Sequence, residues 1–234
     1  MILKYRSGVT PSAICPKIKV LASSINVDVN EATYIDVIPE SDAKLIECFP
    51  NVHKKIESDG GSIVHGWAIW EFPGVYVESE FHSVWQSPNG TLVDITPRAM
   101  PVSRILFIPD HTRKFEGWQI NNSRVQISND SSVIEYLHLL DKKFDIINAG
   151  DRKFMFGNIS HTLSDDDKRE ILAIDLRLSE LLEYIQFSIV ETVSPYGPCI
   201  CCSGKKVKFC HKMKNLQLYI QNTLIPFIQS NTRT

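Results

Sequence analysis

Residues 63 to 95 restrict the possible folds of this chain most. Ile63-Val64-His65-Gly66-Trp67-Ala68-Ile69-Trp70 is dense in strand formers, and Pro73-Gly74 breaks the run before Val75 to Trp85 resumes it. The turn sequence Gln86-Ser87-Pro88-Asn89-Gly90 follows, and Thr91-Leu92-Val93-Asp94-Ile95 returns. Strands joined by such short connections pair antiparallel, because a parallel partner needs a crossover of a dozen residues or more. With Gln86 to Gly90 as a five-residue loop, Trp85 faces Thr91 and His82 faces Asp94. Directly opposed residues have Cβ atoms about 4.5–5.5 Å apart, near enough for an imidazole to meet a carboxylate. A four-residue loop shifts the register by one and sends the two side chains to opposite faces.

Around this block the chain alternates short strands with helices. Lys17 to Leu21 and Tyr34 to Ile38 read as strands by alternation and β-branching, as does Arg104 to Ile108. Ser41 to Ser58 reads as helix in two pieces, with Pro50 in the first turn of the second and Gly60-Gly61 closing it. Phe49, Val52 and Ile56 then share a face. Further on, Ser132-Val133-Ile134-Glu135 has the spacing of a capping box and opens a helix through Asp141. Ser164 caps a longer helix whose stripe is Ile171, Ile174, Leu178, Leu181, Leu182 and Ile185, and Pro195 and Pro198 stop it. Leu216, Tyr219, Ile220 and Leu224 suggest a last amphipathic helix. The expected fold class is α+β. An antiparallel sheet with an N-terminal helix occupies residues 1–125, a helical segment 126–194, and a small zinc knuckle with its C-terminal helix 195–234.

Cys48, His82 and Asp94 form the candidate catalytic set. A thiol becomes nucleophilic as thiolate, which a helix N-terminus and a nearby imidazolium favour, and the imidazole needs a carboxylate to orient it. The Cys48 backbone N–H, or Asn26 or Asn30, is the candidate oxyanion donor. A Cys before a helix followed by His and Asp on consecutive strands resembles the papain-like and transglutaminase-like cysteine hydrolases. The resemblance implies nucleophile, base and orienter in that order, acting on a peptide or amide. Residues 45 to 120, with G-W-A-I-W-E, E-S-E-F-H-S-V-W and L-V-D-I-T-P, also resemble a segment of bacterial and phage proteins that carry SEC-C modules. The bland alternatives are a buried structural cysteine, a satisfied core histidine and an Asp94 that caps the turn before Pro97. The same strand offers a second reading: Glu78, Glu80 and His82 alternate onto one face, where Asp94 joins them either to hold a divalent cation or as part of a solvated surface. Trp67, Trp70 and Trp85 line a pocket or fill the core.

The C-terminal stretch C-I-C-C-S-G-K-K-V-K-F-C-H carries different chemistry. Cys199, Cys201, Cys210 and His211 supply three thiolates and an imidazole, a closed tetrahedral set for Zn2+, with disulfide pairing or inert thiols as the alternatives. The spacing resembles the SEC-C zinc module and departs from it at Cys202, where the family has glycine. Lys205, Lys206, Lys208, Lys212 and Lys214 surround the set and form the candidate partner-binding patch. The SEC-C module of the preprotein translocase ATPase engages an acidic chaperone and ribosomes, so the resemblance implies a protein partner, with nucleic acid second. A net charge of −2 over 234 residues gives no global argument for nucleic acid. Four of the six cysteines cluster in this stretch and no leader or membrane span precedes them, so a reducing, cytoplasmic setting is expected. Two functions follow as expectations: a cytosolic thiol hydrolase or acyl-transfer enzyme targeted by a zinc module, or a non-catalytic adaptor presenting that module.

Overall fold

The computed structural model describes residues 8–72, 74–99, 102–155, 159–192, 194–197 and 205–210. Its first element corrects a sequence expectation. Residues Pro16–Ser24 form a helix, α1, where Lys17 to Leu21 reads as a strand. Pro16 sits in the first turn, where its missing N–H costs nothing, and Ile18, Leu21 and Ala22 bury one face at helical spacing. Strand β1 follows at Thr33–Val37 and helix α2 at Cys48–Asp59. Residues 41 to 47 are turns and irregular chain, so only the second of the two expected helical pieces forms. Gly60 and Gly61, both at positive φ (72° and 87°), end α2 and turn the chain into the sheet.

Strands β2 (Ser62–Phe72) and β3 (Tyr76–Gln86) pair antiparallel over their whole length. Strands β4 (Leu92–Asp94), β5 (Arg104–Pro109) and β6 (Ser123–Gln126) complete a six-stranded sheet. Its order is β2-β5-β1-β4-β3-β6, and β2 also pairs with β3, so five of the strands close on themselves. Among the described residues all pairings are antiparallel except β1 with β4, an exception to the antiparallel expectation. The pleat separates two cores. Ile35, Ala68, Trp70, Val84, Ile105 and Phe107 pack on the inner face. On the outer face Trp67, Ile69, Val77, Phe81, Leu106 and Ile108 pack against Ile18, Leu21 and Ala22 of α1. Gly66 lies opposite His82, and a Cβ there would come within 2.5 Å of the Phe107 ring, so only glycine lets the inner face fill.

Helices α3 (Ser131–Ile147) and α4 (Asp165–Thr192) pack on each other and on the start of β3. Val133, Tyr136, Leu140, Ile174, Leu178, Leu181, Leu182 and Ile185 join Val75 and Tyr76 in a third core. The cap of α3 is Asp130, which accepts from the Ser132 N–H at 2.8 Å, so the expected box beginning at Ser132 is displaced by two residues and the helix runs beyond Asp141. Ser164 does cap α4: its Oγ accepts from the Asp167 N–H (3.0 Å) while Asp167 accepts from the Ser164 N–H (3.3 Å). A short helical turn, α5, spans Val207–Cys210.

Candidate active site

The site lies where the sheet splits. β3 pairs with β6 as far as Ser79 and with β4 from Trp85, so among the described residues its middle has a strand partner on the β2 side alone. Glu80 and His82 project inward from that middle. A cavity of about 360 Å³ opens beside them, and Cys48, Glu80, His82, Thr96, Arg98 and Trp70 all line it. Such a gap gives side chains of a rigid strand access to a ligand without fraying the strand itself.

Cys48 is the first residue of α2, is 7% exposed and is a free thiol. The N–H groups of a helix's first turn have no intrahelical acceptor, and the dipole there favours an anion. The approach to Cys48 is held by Asn51 one turn on. Its side-chain oxygen accepts from the Lys44 N–H (3.0 Å), and its amide nitrogen donates to the Lys44 carbonyl (2.8 Å) and to Thr96 Oγ1 (3.3 Å). Two residues before Cys48, Ile46 takes φ 67°, a left-handed conformation that costs a β-branched residue on the order of 1–3 kcal/mol. The chain accepts that strain to turn into α2 at this point.

His82 and Asp94 meet at 3.0 Å between Nε2 and Oδ1, and both are buried. The register that brings them together differs from the expected one. Trp85 faces Val93 and Gln86 faces Leu92, a slip of two residues from the Trp85–Thr91 pairing. An even slip preserves the face, so His82 and Asp94 are diagonal neighbours instead of direct ones. Asp94 Oδ1 also accepts from the Thr96 N–H (3.1 Å), and Oδ2 accepts from Arg98 Nε and Nη2 (3.3 and 3.1 Å). Burial alone would lower the pKa of His82, but the Asp94 carboxylate and then Cys48 outweigh it and raise it to about 10. Burial works against Asp94 as well, and His82 and Arg98 overcome it to hold its pKa at about 2. Arg98 Nη2 also lies 3.2 Å from His82 Nε2. Since a guanidinium donates only, the Nε2 proton goes to Asp94 and Arg98 serves the carboxylate. Among the described residues the hydrogen bonds of the His82 ring are at Nε2, and none joins the ring to the Cys48 thiol, which shares the cavity wall with it.

Arg98, which sequence reasoning passed over, is therefore part of the site. Its Nη1 also donates to Glu80 Oε2 (3.2 Å), and its guanidinium lies 4.7 Å from the Trp70 ring centre. Burial would weaken its charge, and Glu80 and Asp94 strengthen it instead. The spacing Asp94-Ile95-Thr96-Pro97-Arg98 was the available signal, hidden in a proline-punctuated loop. Glu78 pairs with Arg124 of β6 at 2.5 Å, and Arg124 also reaches Asp141 at 2.8 Å.

The other expectations fare unevenly. Glu78 and His82 are buried, which overturns the solvated-face reading of this strand. Among the described residues no three metal-capable side chains converge, so Glu78, Glu80, His82 and Asp94 do not form a cation cage. Their carboxylates are occupied by Arg98, Arg124 and His82. Asn26 and Asn30 do not line the cavity, and the Asn30 amide bonds Asp28 instead, so of the expected oxyanion donors the Cys48 N–H remains. Of the tryptophans, Trp70 lines the cavity, Trp67 is core, and Trp85 stacks under Lys55 (5.1 Å) and bonds the Gly60 carbonyl. Cys199, Cys201, Cys202, His211, Lys212 and Lys214 and the expected last helix lie outside the described residues. Lys205 is exposed, and Lys208 lies over the Tyr196 and Phe209 rings at 4.0 and 4.5 Å. No described helix is long and apolar enough to cross a membrane. Compared with protein-family models, curated proteins and solved structures, the chain matches none.

Proposed function

We propose that the protein is a cysteine-dependent hydrolase or acyl-transfer enzyme acting on a peptide or amide bond, as papain-like and transglutaminase-like enzymes do. The observation that carries this reading is the buried His82–Asp94 pair facing a cavity that Cys48 also lines. Asp94 holds the Nε2 proton and fixes the ring, so Nδ1 exchanges protons with the thiol. The Cys48 thiolate attacks the carbonyl carbon, forming a C–S bond as the C–O π electrons move to oxygen. The Cys48 N–H at the start of α2 receives that oxyanion. Collapse expels the amine, which takes its proton from the imidazolium. His82 then removes a proton from water, or from an acceptor amine, that attacks the thioester and frees Cys48.

The C-terminal stretch fits a resident zinc by donor chemistry: three thiolates and one imidazole close a tetrahedron and leave no position for substrate. In this reading the zinc supports a knuckle whose lysines address a protein partner, and the chemistry belongs to Cys48. The reading also places the protein in a reducing compartment.

The test is the rate at which iodoacetamide alkylates Cys48 at neutral pH, followed by mass mapping of the Cys48 peptide. The reading expects alkylation well above the rate for free cysteine, slowed on the order of a hundredfold in His82→Ala, the lower end of a general base's contribution. Alkylation at the ordinary rate, indifferent to His82, would leave the adaptor as the function.

A further inference from the structure

The cavity beside Cys48 has a charge imbalance, and it points to the side chain a substrate must carry. Arg98 is shared between two carboxylates, Asp94 and Glu80. Arg124 is likewise shared between Glu78 and Asp141 and is not available to compensate. With Cys48 as the thiolate that the cysteine-enzyme reading requires, Cys48, Glu80 and Asp94 are negative and His82 and Arg98 positive, which leaves one negative charge over. Of these three anions Asp94 is fully buried and Cys48 is the nucleophile, so Glu80 is the one on the cavity wall left to meet a substrate cation. Its Oε2 takes both the Trp70 indole N–H (2.8 Å) and Arg98 Nη1 (3.2 Å), while its side chain stays 38% exposed on the cavity wall. Burial opposes ionisation of Glu80, and Arg98 and His82 more than offset it. Glu80 is two residues from His82 on the same strand face, about 7 Å along a strand. One side chain of a bound peptide spans that distance from the reacting carbonyl.

We propose that Glu80 is the specificity-determining residue of this cavity and selects substrates that carry an ammonium or guanidinium beside the reacting carbonyl. This inference rests on the cysteine-enzyme reading of the same cavity. Glu80 is ideally placed for selection: two donors fix its geometry, so it binds a cation without first being ordered. Trp70, Leu45 and Ile46 supply apolar wall for the methylene stem of a lysine or arginine.

Three methanethiosulfonates of similar size probe the cavity without a known substrate: 2-aminoethyl (cationic), ethyl (neutral) and 2-sulfonatoethyl (anionic). In each case the Cys48 thiolate attacks the sulfenyl sulfur, a mixed disulfide forms and methanesulfinate leaves. Rates at Cys48, each divided by the rate of the same reagent with glutathione, remove the reagents' own reactivity. The inference expects the cation to react roughly tenfold faster than the neutral reagent, about 1.4 kcal/mol, and the anion to be slowest. Glu80→Gln keeps acceptors for Trp70 and Arg98 and should reduce the cation preference to about twofold or less. A wild-type protein without cation preference, or a preference unchanged in Glu80→Gln, overturns the inference. These outcomes are separate from failure of the parent reading, which shows as slow reaction with all three reagents and no response to His82→Ala. Because the first comparison uses wild-type protein only, a poorly folding variant does not rescue or sink it.

Discussion

His82 and Asp94 bury opposite charges against each other, and this ties stability to pH with a definite sign. The His82 pKa is raised from 6.5 to about 10 by Asp94 and Cys48 acting against burial. Its contribution is therefore complete below the unfolded value and disappears as pH rises through the folded one. The Asp94 pKa is lowered from 3.8 to about 2, so its contribution is complete above 3.8 and disappears as pH falls towards 2. Both are present in full between these unfolded values, 3.8 and 6.5. Thermal melts of wild type and His82→Gln should differ most inside that window and converge as pH approaches 10. A gap that widened on the alkaline side would contradict the pairing. At this scale the sequence was legible to a degree set by parity. The hairpin arithmetic missed the register by two residues and still found the pair, because side chains on a strand repeat every two. Arg98 was not legible, since its role depends on how a proline-rich loop folds back over Trp70.

Among the elements, α1 shows where pattern reading fails. Lys17-Ile18-Lys19-Val20-Leu21 alternates as a half-buried strand would, yet Ile18 and Leu21 are fully buried and Val20 is 54% exposed, the order of a helix. The decisive local signal was Pro16 at the first turn. Tertiary packing settled the rest, because the outer face of β2, β3 and β5 needs a cover. Leu21→Ala should cost about 2–5 kcal/mol in urea unfolding, the usual range for a fully buried leucine. An exposed strand residue would cost far less, so a value below about 1 kcal/mol would refute the packing of α1 on the sheet. β6 escaped prediction because Ser123-Arg124-Val125-Gln126 is short and has one apolar residue; its ladder to β3 and the Arg124–Glu78 pair hold it. The long helix α4 was legible from its stripe and its serine cap, both local features.

For the whole molecule, the sheet with its two cores and the helical pair with a third form a body to which the cysteine-rich C-terminal stretch is appended in sequence. Should that stretch be a zinc knuckle, protein purified without added metal carries close to one zinc per chain, read by elemental analysis. Cys210→Ser should then abolish the zinc and leave the main thermal transition of the body in place; loss of both together would show that the knuckle is part of the body's cooperative unit. The α+β class was legible from strand and helix patterns. Closure of the sheet was not, because β1 meets both β4 and β5 through pairings distant in sequence, and no local pattern encodes them. That closure also limits how the body can meet other chains. Extended peptides are often captured by adding a strand to an open sheet edge, and the same open edges seed aggregation. Here β2, β5, β1, β4 and β3 form a ring, Val9 bridges to Glu71 on β2, and β6 packs beside α1. A peptide therefore finds an open backbone edge where the ring splits, at the middle of β3 beside the cavity, and along the paired stretches of the ring must be recognised through its side chains.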